Sequence, residues 1–234
     1  MSDGRARFIA ILEILLCSGV PTQFTIIGLL NAAGSRSTDS AGHPLLPFVL
    51  VQLTADTVLV VVLMIVFMRI AGEHPAAIWA GRRPVTREVV IGLLTVPVIL
   101  VAVGIVLNTL RLFLPQLHNV ATNPLERMAT TPGQAPMFAV LAIVAGGVKE
   151  ELQRAFMLHR FEQHLGGASV GVVVTSLAFG LGHWIQGWDA VITTGTLGAF
   201  WAWMYLRRRG SIAPVVSHAG FNALEILRVA IVGQ

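Results

Sequence analysis

Charge and sulfur chemistry are both scarce in this chain. Asp, Glu, Lys and Arg make up 12% of its 234 residues and hydrophobic residues 55%, whereas about a quarter of a soluble domain is charged. That balance excludes a soluble globular fold and leaves a polytopic membrane protein. The one cysteine, Cys17, excludes a disulfide framework and a cysteine-based metal site, and in its apolar run it is expected to be a small packing residue. Internal repeats and low-complexity tracts are absent, as is the His-Glu-x-x-His spacing of zinc proteases. The formal charge of +4 comes mostly from arginines between apolar runs, a pattern that orients a membrane chain and argues against nucleic acid as a partner.

What the chain does have is a succession of apolar runs. A helix of about 20 apolar residues crosses the hydrocarbon, and by that measure the spans are 8–33, 46–70, 89–114, 136–158, 168–185, 190–206 and 212–232. These predict an all-α polytopic transmembrane helix bundle of about seven spans, one membrane domain over residues 1–234, with 115–135 as its only sizeable connector. Arg5 and Arg7, then Arg69, Arg82, Arg83 and Arg87, then Arg154 and Arg160, then Arg207, Arg208 and Arg209 all fall at one end of such a path. Basic short loops stay inside, so this end and the N-terminus are expected to be cytoplasmic. The loop with Arg36, Asp39 and His43, the turn 186–189 and the C-terminus at Gln234 are then expected outside. The first run follows basic residues as a signal peptide does, but no small-residue cleavage site follows, so it is expected to remain as the first helix. The segment 72–87, with Pro75, Trp79 and Pro84, reads either as a plain loop or as a short interfacial helix with Trp79 at headgroup level.

Three polar patterns interrupt the apolar helices. Ionisable groups in hydrocarbon cost from a few kcal/mol upward unless they pair or face a polar cavity, so their presence calls for a reason. Glu150 and Arg154 stand one helical turn apart on one face, where they can pair, and Glu151 lies beside them. Phe179 and His183 share a face with glycines between them, and so do His218 and Asn222. Taken singly, the charges could mark a solvated helix end and His183 an interfacial anchor beside Trp184. Gathered around one polar cavity, the three patterns can satisfy one another.

Other polar residues read more plainly. Glu13 is expected to snorkel to the near interface, and Asp56 to pair with Gln52 or a neighbouring helix. His159 and His164 are expected to be solvated in the turn after the fourth span. Glu225 and Arg228 are expected to pair at i,i+3. Met64, Met68, the valines of 58–62 and the aromatics Phe200, Trp201 and Trp203 read as packing or lipid contacts.

In order and spacing, a Glu-Glu-x-x-x-Arg pattern, Phe-x-x-x-His and His-x-x-x-Asn on three successive helices resemble the CAAX protease and bacteriocin-processing family, also called Abi. The second and third motifs fit residue for residue, as Phe179/His183 and His218/Asn222. The first is one residue short, because two residues and not three separate Glu151 from Arg154. If Arg154 is the anchor, Glu150 takes the second glutamate position and Lys149 stands at the first. If the glutamates are the anchor, Arg154 arrives about 100° early around the helix. A local bulge in the helix would reconcile the two.

The resemblance implies a catalytic core over 136–232 and a glutamate-dependent intramembrane endopeptidase open to the cytoplasmic side. Its catalytic residues would be Glu150, Glu151, Arg154, His183, His218 and Asn222. A glutamate with His183 would polarise water, His218 and Asn222 would donate to the oxyanion, and Arg154 would hold a glutamate in place. No cofactor or metal is called for, although one Glu with two His could also form a zinc set. The implied partners are the lipid bilayer and a membrane protein or peptide substrate, and the implied setting is a bacterial cell membrane. Two other readings share the same residues: a catalytically silent membrane scaffold or immunity protein, and a small proton-coupled transporter.

Overall fold

The computed structural model describes residues 3–125, 128 and 133–232, so Gln234 and part of the 115–135 connector lie outside the described residues. Among the described residues the architecture is a bundle of ten α-helices: α1 Asp3–Cys17, α2 Val20–Ala32, α3 Leu46–Ile70, α4 Pro75–Trp79, α5 Val85–Phe113, α6 Gln134–Leu141, α7 Glu150–His164, α8 Ala168–Leu181, α9 Trp188–Arg208 and α10 Ile212–Val232. A π-helical segment, Ala142–Lys149, joins α6 to α7. The all-α bundle matches the expectation, but the seven spans are not equally apolar. By length and composition α3 and α5 can each cross a membrane, and α1 with α2 adds a third span bent by 41°. The C-terminal helices point polar residues at one another, which lowers their hydropathy, and apolar α8 is only 14 residues long.

The first expected span is therefore broken at Ser18–Gly19. Gly19 has φ 85, a left-handed conformation that glycine adopts without steric cost, and a proline opens α2, where its missing N–H is no loss. The break frees the Cys17 carbonyl, which accepts 2.6 Å from Gln153 Nε2. Beside it, Asp56 is fully buried and accepts from Thr22 Oγ1 at 2.5 Å and from Lys149 Nζ at 2.8 Å. Asp56 thus pairs with α3's neighbours across the bundle and not with Gln52.

Lower on α7, Arg160 is buried between Glu13 and Glu73, its Nη1 lying 2.7 Å from Glu73 Oε2. His159 Nε2 and Gln163 Nε2 meet the other Glu73 oxygen at 2.8 Å and 2.9 Å. Burial pushes the Glu73 carboxyl up, but the bonds from Arg160, Gln163 and His159 outweigh it and hold the pKa below its ordinary value. Two expectations change here. Glu13 does not snorkel, and His159 is not simply solvated. Trp79 changes too, since α4 does form but its indole donates 3.2 Å to the Leu152 carbonyl and so docks on α7.

Small residues bring the helices of the C-terminal half into backbone contact. A Cβ added at Gly147 would lie 2.7 Å from that of Ala219, and one at Gly180 would lie 2.5 Å from the Val191 carbonyl. The π segment is thereby pressed on α10, and α8 on α9. Two buried polar seams result, one on each side of the Ala142–His164 stretch. Removing one partner of the first should expose its importance: Lys149→Met leaves Asp56 an uncompensated buried charge and should cost about 3–5 kcal/mol, read as a lowered midpoint of thermal unfolding in detergent. Adding Asp56→Leu to that variant should recover most of the loss.

Candidate active site

The second seam gathers the sequence motifs. Glu151 is 1% exposed, and its Oε1 accepts from Arg154 Nη1 at 2.7 Å and from His218 Nδ1 at 2.9 Å. Arg154 lies with its guanidinium 4.6 Å over the Phe179 ring, so the charge is held by a carboxylate on one side and an aromatic face on another. His218 stacks on Trp201 with ring centroids 3.8 Å apart and planes at 15°, and meets the Phe179 ring edge-on at 5.9 Å. Phe179 and Trp201 thus wall in both partners of Glu151.

Glu150, one residue earlier, points elsewhere. It is partly exposed and lines a cavity of about 590 Å³ together with Phe179, His183, Trp201, His218 and Asn222. Its Oε2 lies 3.9 Å from His218 Nε2, so His218 has a carboxylate on each side. Lys149 turns the other way, to Asp56. The three consecutive residues Lys149, Glu150 and Glu151 therefore serve the first seam, the cavity and the second seam in turn.

This settles the geometry of the first motif. Arg154 pairs with Glu151 at i,i+3 and not with Glu150 at i,i+4, which corrects the expected pairing and leaves both glutamates at the site. The bulge is present as the Ala142–Lys149 π segment, whose wider turns shift the faces of everything after it. Asn222 secures that segment: its Nδ2 donates 3.1 Å to the Ala142 carbonyl, and a Cβ at Gly146 would come within 2.6 Å of the same nitrogen. His183 sits just past α8, its Nδ1 2.8 Å from the Phe179 carbonyl. A carbonyl only accepts, so Nδ1 carries the proton in that bond and Nε2 is the nitrogen left without it. Among the described residues, no three His, Cys, Asp or Glu side chains come together as a metal-binding set.

The cavity has a second polar end. Asp189, 2% exposed, accepts from Arg111 Nε at 3.3 Å and His118 Nδ1 at 2.9 Å, and all three line the same cavity. Arg111 lies in the last turn of α5, Asp189 in the first turn of α9 and His118 just after the short turn that follows α5, at the bundle end away from the arginine-rich turns. The cavity thus runs from Glu150 toward that end, contrary to the expected opening on the arginine side. Arg154, counted among the orienting charges, is in fact buried in the site.

Two groups of residues that line the cavity are not marked by the sequence motifs. Arg111, His118 and Asp189 are too far apart in the chain to form a pattern. Trp201 had a signal, because Asp189, Thr193, Leu197, Trp201 and Tyr205 recur every four residues and are all buried on α9, while Trp203 is 52% exposed. The Glu225–Arg228 pair is present at 3.0 Å. Arg154→Gln should cost about 3–5 kcal/mol by leaving Glu151 short of its cation, again measured by thermal unfolding in detergent. Arg154→Lys should recover only part, since an ammonium has no planar face for Phe179.

Residues 131–224 match the family model described as type II CAAX prenyl endopeptidase Rce1-like. The match contains α6 to α9, the π segment and most of α10, and with them every motif residue. Comparisons with curated proteins and with solved structures gave no significant match. With its apolar spanning helices the protein is an integral membrane protein, and its residues 131–224 are similar to the type II CAAX prenyl endopeptidase Rce1-like family.

Proposed function

We propose that this protein is an intramembrane endopeptidase that hydrolyses a peptide bond of a membrane-associated or lipidated substrate, with Glu150 as the general base. The observation that carries this reading is the division of labour between adjacent carboxylates. Glu151 is committed to Arg154 and His218, while Glu150 faces the cavity and, among the described residues, has no side-chain hydrogen bond to give up. A carboxylate bound on one oxygen by two donors is a poor proton acceptor, and one at a cavity wall is free to take a proton from water.

In this reading Glu150 removes a proton from a water molecule whose other hydrogen is accepted by His183 Nε2. As the hydroxyl oxygen bonds to the substrate carbonyl carbon, the carbonyl oxygen takes up negative charge. His218, with both ring nitrogens protonated, holds Glu151 through Nδ1–H and offers Nε2–H to that oxyanion. The second N–H of Asn222 is available for the same task. Collapse breaks the C–N bond, and the amine leaves with the proton held by Glu150. No metal enters these steps. With the arginine-rich turns on the cytoplasmic side, the N-terminus lies inside and the Arg111–His118–Asp189 end of the cavity faces the opposite leaflet.

The test is cleavage of a detergent-solubilised lipidated peptide by the purified protein. Glu150→Gln should lower kcat by a factor of about 10²–10⁴ while leaving thermal unfolding nearly unchanged. Glu151→Gln should lose both activity and stability, His183→Ala and His218→Ala should lose activity, and a chelator should leave the wild-type rate as it was. Cleavage by Glu150→Gln at the wild-type rate would remove Glu150 as the base. A rate abolished by the chelator and restored by zinc would replace this mechanism with a metal-dependent one.

A further inference from the structure

His218 is asked to hold a fixed plane in the proposed reaction, and its hydrogen bond to Glu151 cannot supply that alone. With the ring tethered at Cβ, one bond through Nδ1 still lets the side-chain torsions tilt the imidazole plane, which would carry Nε2 away from the cavity. The constraint that stops this rotation is a face. Trp201, 1% exposed, lies parallel to the ring at 3.8 Å and 15°, and Phe179 closes another side edge-on at 89°.

Trp201 is itself held. Its Nε1 donates 3.1 Å to Ser217 Oγ, and Ser217 is fully buried, one residue before His218. Ser217 Oγ lies 2.9 Å from Thr95 Oγ1, which donates 2.7 Å to the Gly92 carbonyl of α5. At Gly92 the two helices are close enough that a Cβ would meet the Ala213 carbonyl at 2.8 Å. A chain of three hydrogen bonds therefore runs from the α5 backbone through Thr95 and Ser217 to the indole, and the indole face lies on the imidazole. A tryptophan needed only for bulk would require neither the parallel stack nor the fixed N–H.

We infer that Trp201 is a positioning residue for His218, setting the imidazole plane so that Nδ1 meets Glu151 while Nε2 faces the cavity. The inference rests on the endopeptidase reading for its catalytic consequence, though its geometric content stands apart from activity. A misplacement of about 1 Å in a reacting group can cost about 10²-fold in rate, which sets the scale of the effect.

The experiment compares Trp201→Leu, Trp201→Phe and Ser217→Ala in the full-length protein in detergent. Trp201→Leu keeps an apolar side chain but removes the face, and should lower kcat about 100-fold with KM little changed. Trp201→Phe restores a face and should recover most of the rate, and Ser217→Ala should fall between. In parallel, ¹⁵N-histidine NMR should show a hydrogen-bonded Nδ1–H for His218, assigned by its loss in His218→Gln, together with imidazole C–H signals shifted upfield by the indole. Both features should disappear in Trp201→Leu and persist in Trp201→Phe. Equal losses of rate in the Phe and Leu variants, tracking their loss of thermal stability, would overturn the inference. So would an unchanged His218 signal in Trp201→Leu. If the wild type cleaves no peptide, the endopeptidase reading falls, and the NMR comparison alone decides whether Trp201 governs His218.

Discussion

A carboxylate withdrawn from water must find partners inside the protein, and the C-terminal half of this molecule is arranged around one such group. Glu151 is reached by a guanidinium from its own helix and an imidazole from α10, and each of these is backed by an aromatic ring. In a low-dielectric interior such a set is stable only when complete, because the loss of one member leaves a bare charge behind. The packing follows from this demand. Gly147 lets α10 come near enough for His218 to reach, and α8 and α9 are held in close backbone contact so that Phe179 and Trp201 stand on either side.

The helix that bears Glu151 has a second polar face, and that face ties the site to the N-terminal half. Lys149, Gln153 and Arg160 follow one side of the stretch and meet Asp56, the Cys17 carbonyl and the Glu13–Glu73 pair. All of those partners lie outside the segment that matches the family. The family-matched core of this chain is therefore not electrically closed by itself. Its cations are neutralised by α1, α3 and the turn after α3, and the break between α1 and α2 exists at the point where one of these bonds is made.

The π segment is the device that lets one helix serve both faces and the cavity as well. Successive residues turn by about 100° around the helix, so Lys149 at the end of the segment and Glu150 and Glu151 at the start of α7 point in three directions, and Asn222 anchors the segment's first carbonyl. The cavity so formed has carboxylate chemistry at its inner end and the Arg111–His118–Asp189 cluster at its outer end. Apolar walls from α3, α5 and α10 join the two, which suits a substrate that is itself partly apolar.

Much of this was legible in the chain. Low charge and long apolar runs determined a helical membrane bundle, because backbone groups in lipid must be satisfied within helices. The i,i+4 spacings of Phe179/His183 and His218/Asn222 marked shared faces, while the short first motif left two alignments open that a bulge would reconcile. Partner choice was decided only by the tertiary structure. Whether Arg154 turns to Glu150 or Glu151 depends on about 100° of helix rotation, and that rotation is set by the π segment and by the close approach of Ala219. Likewise, nothing local joins Lys149 to Asp56 or Arg111 to Asp189, and stacking of Trp201 on His218 exists only once two helices cross. Spacing along a helix determines which residues share a face, but which charge answers which is decided by the neighbouring helices that bury them together.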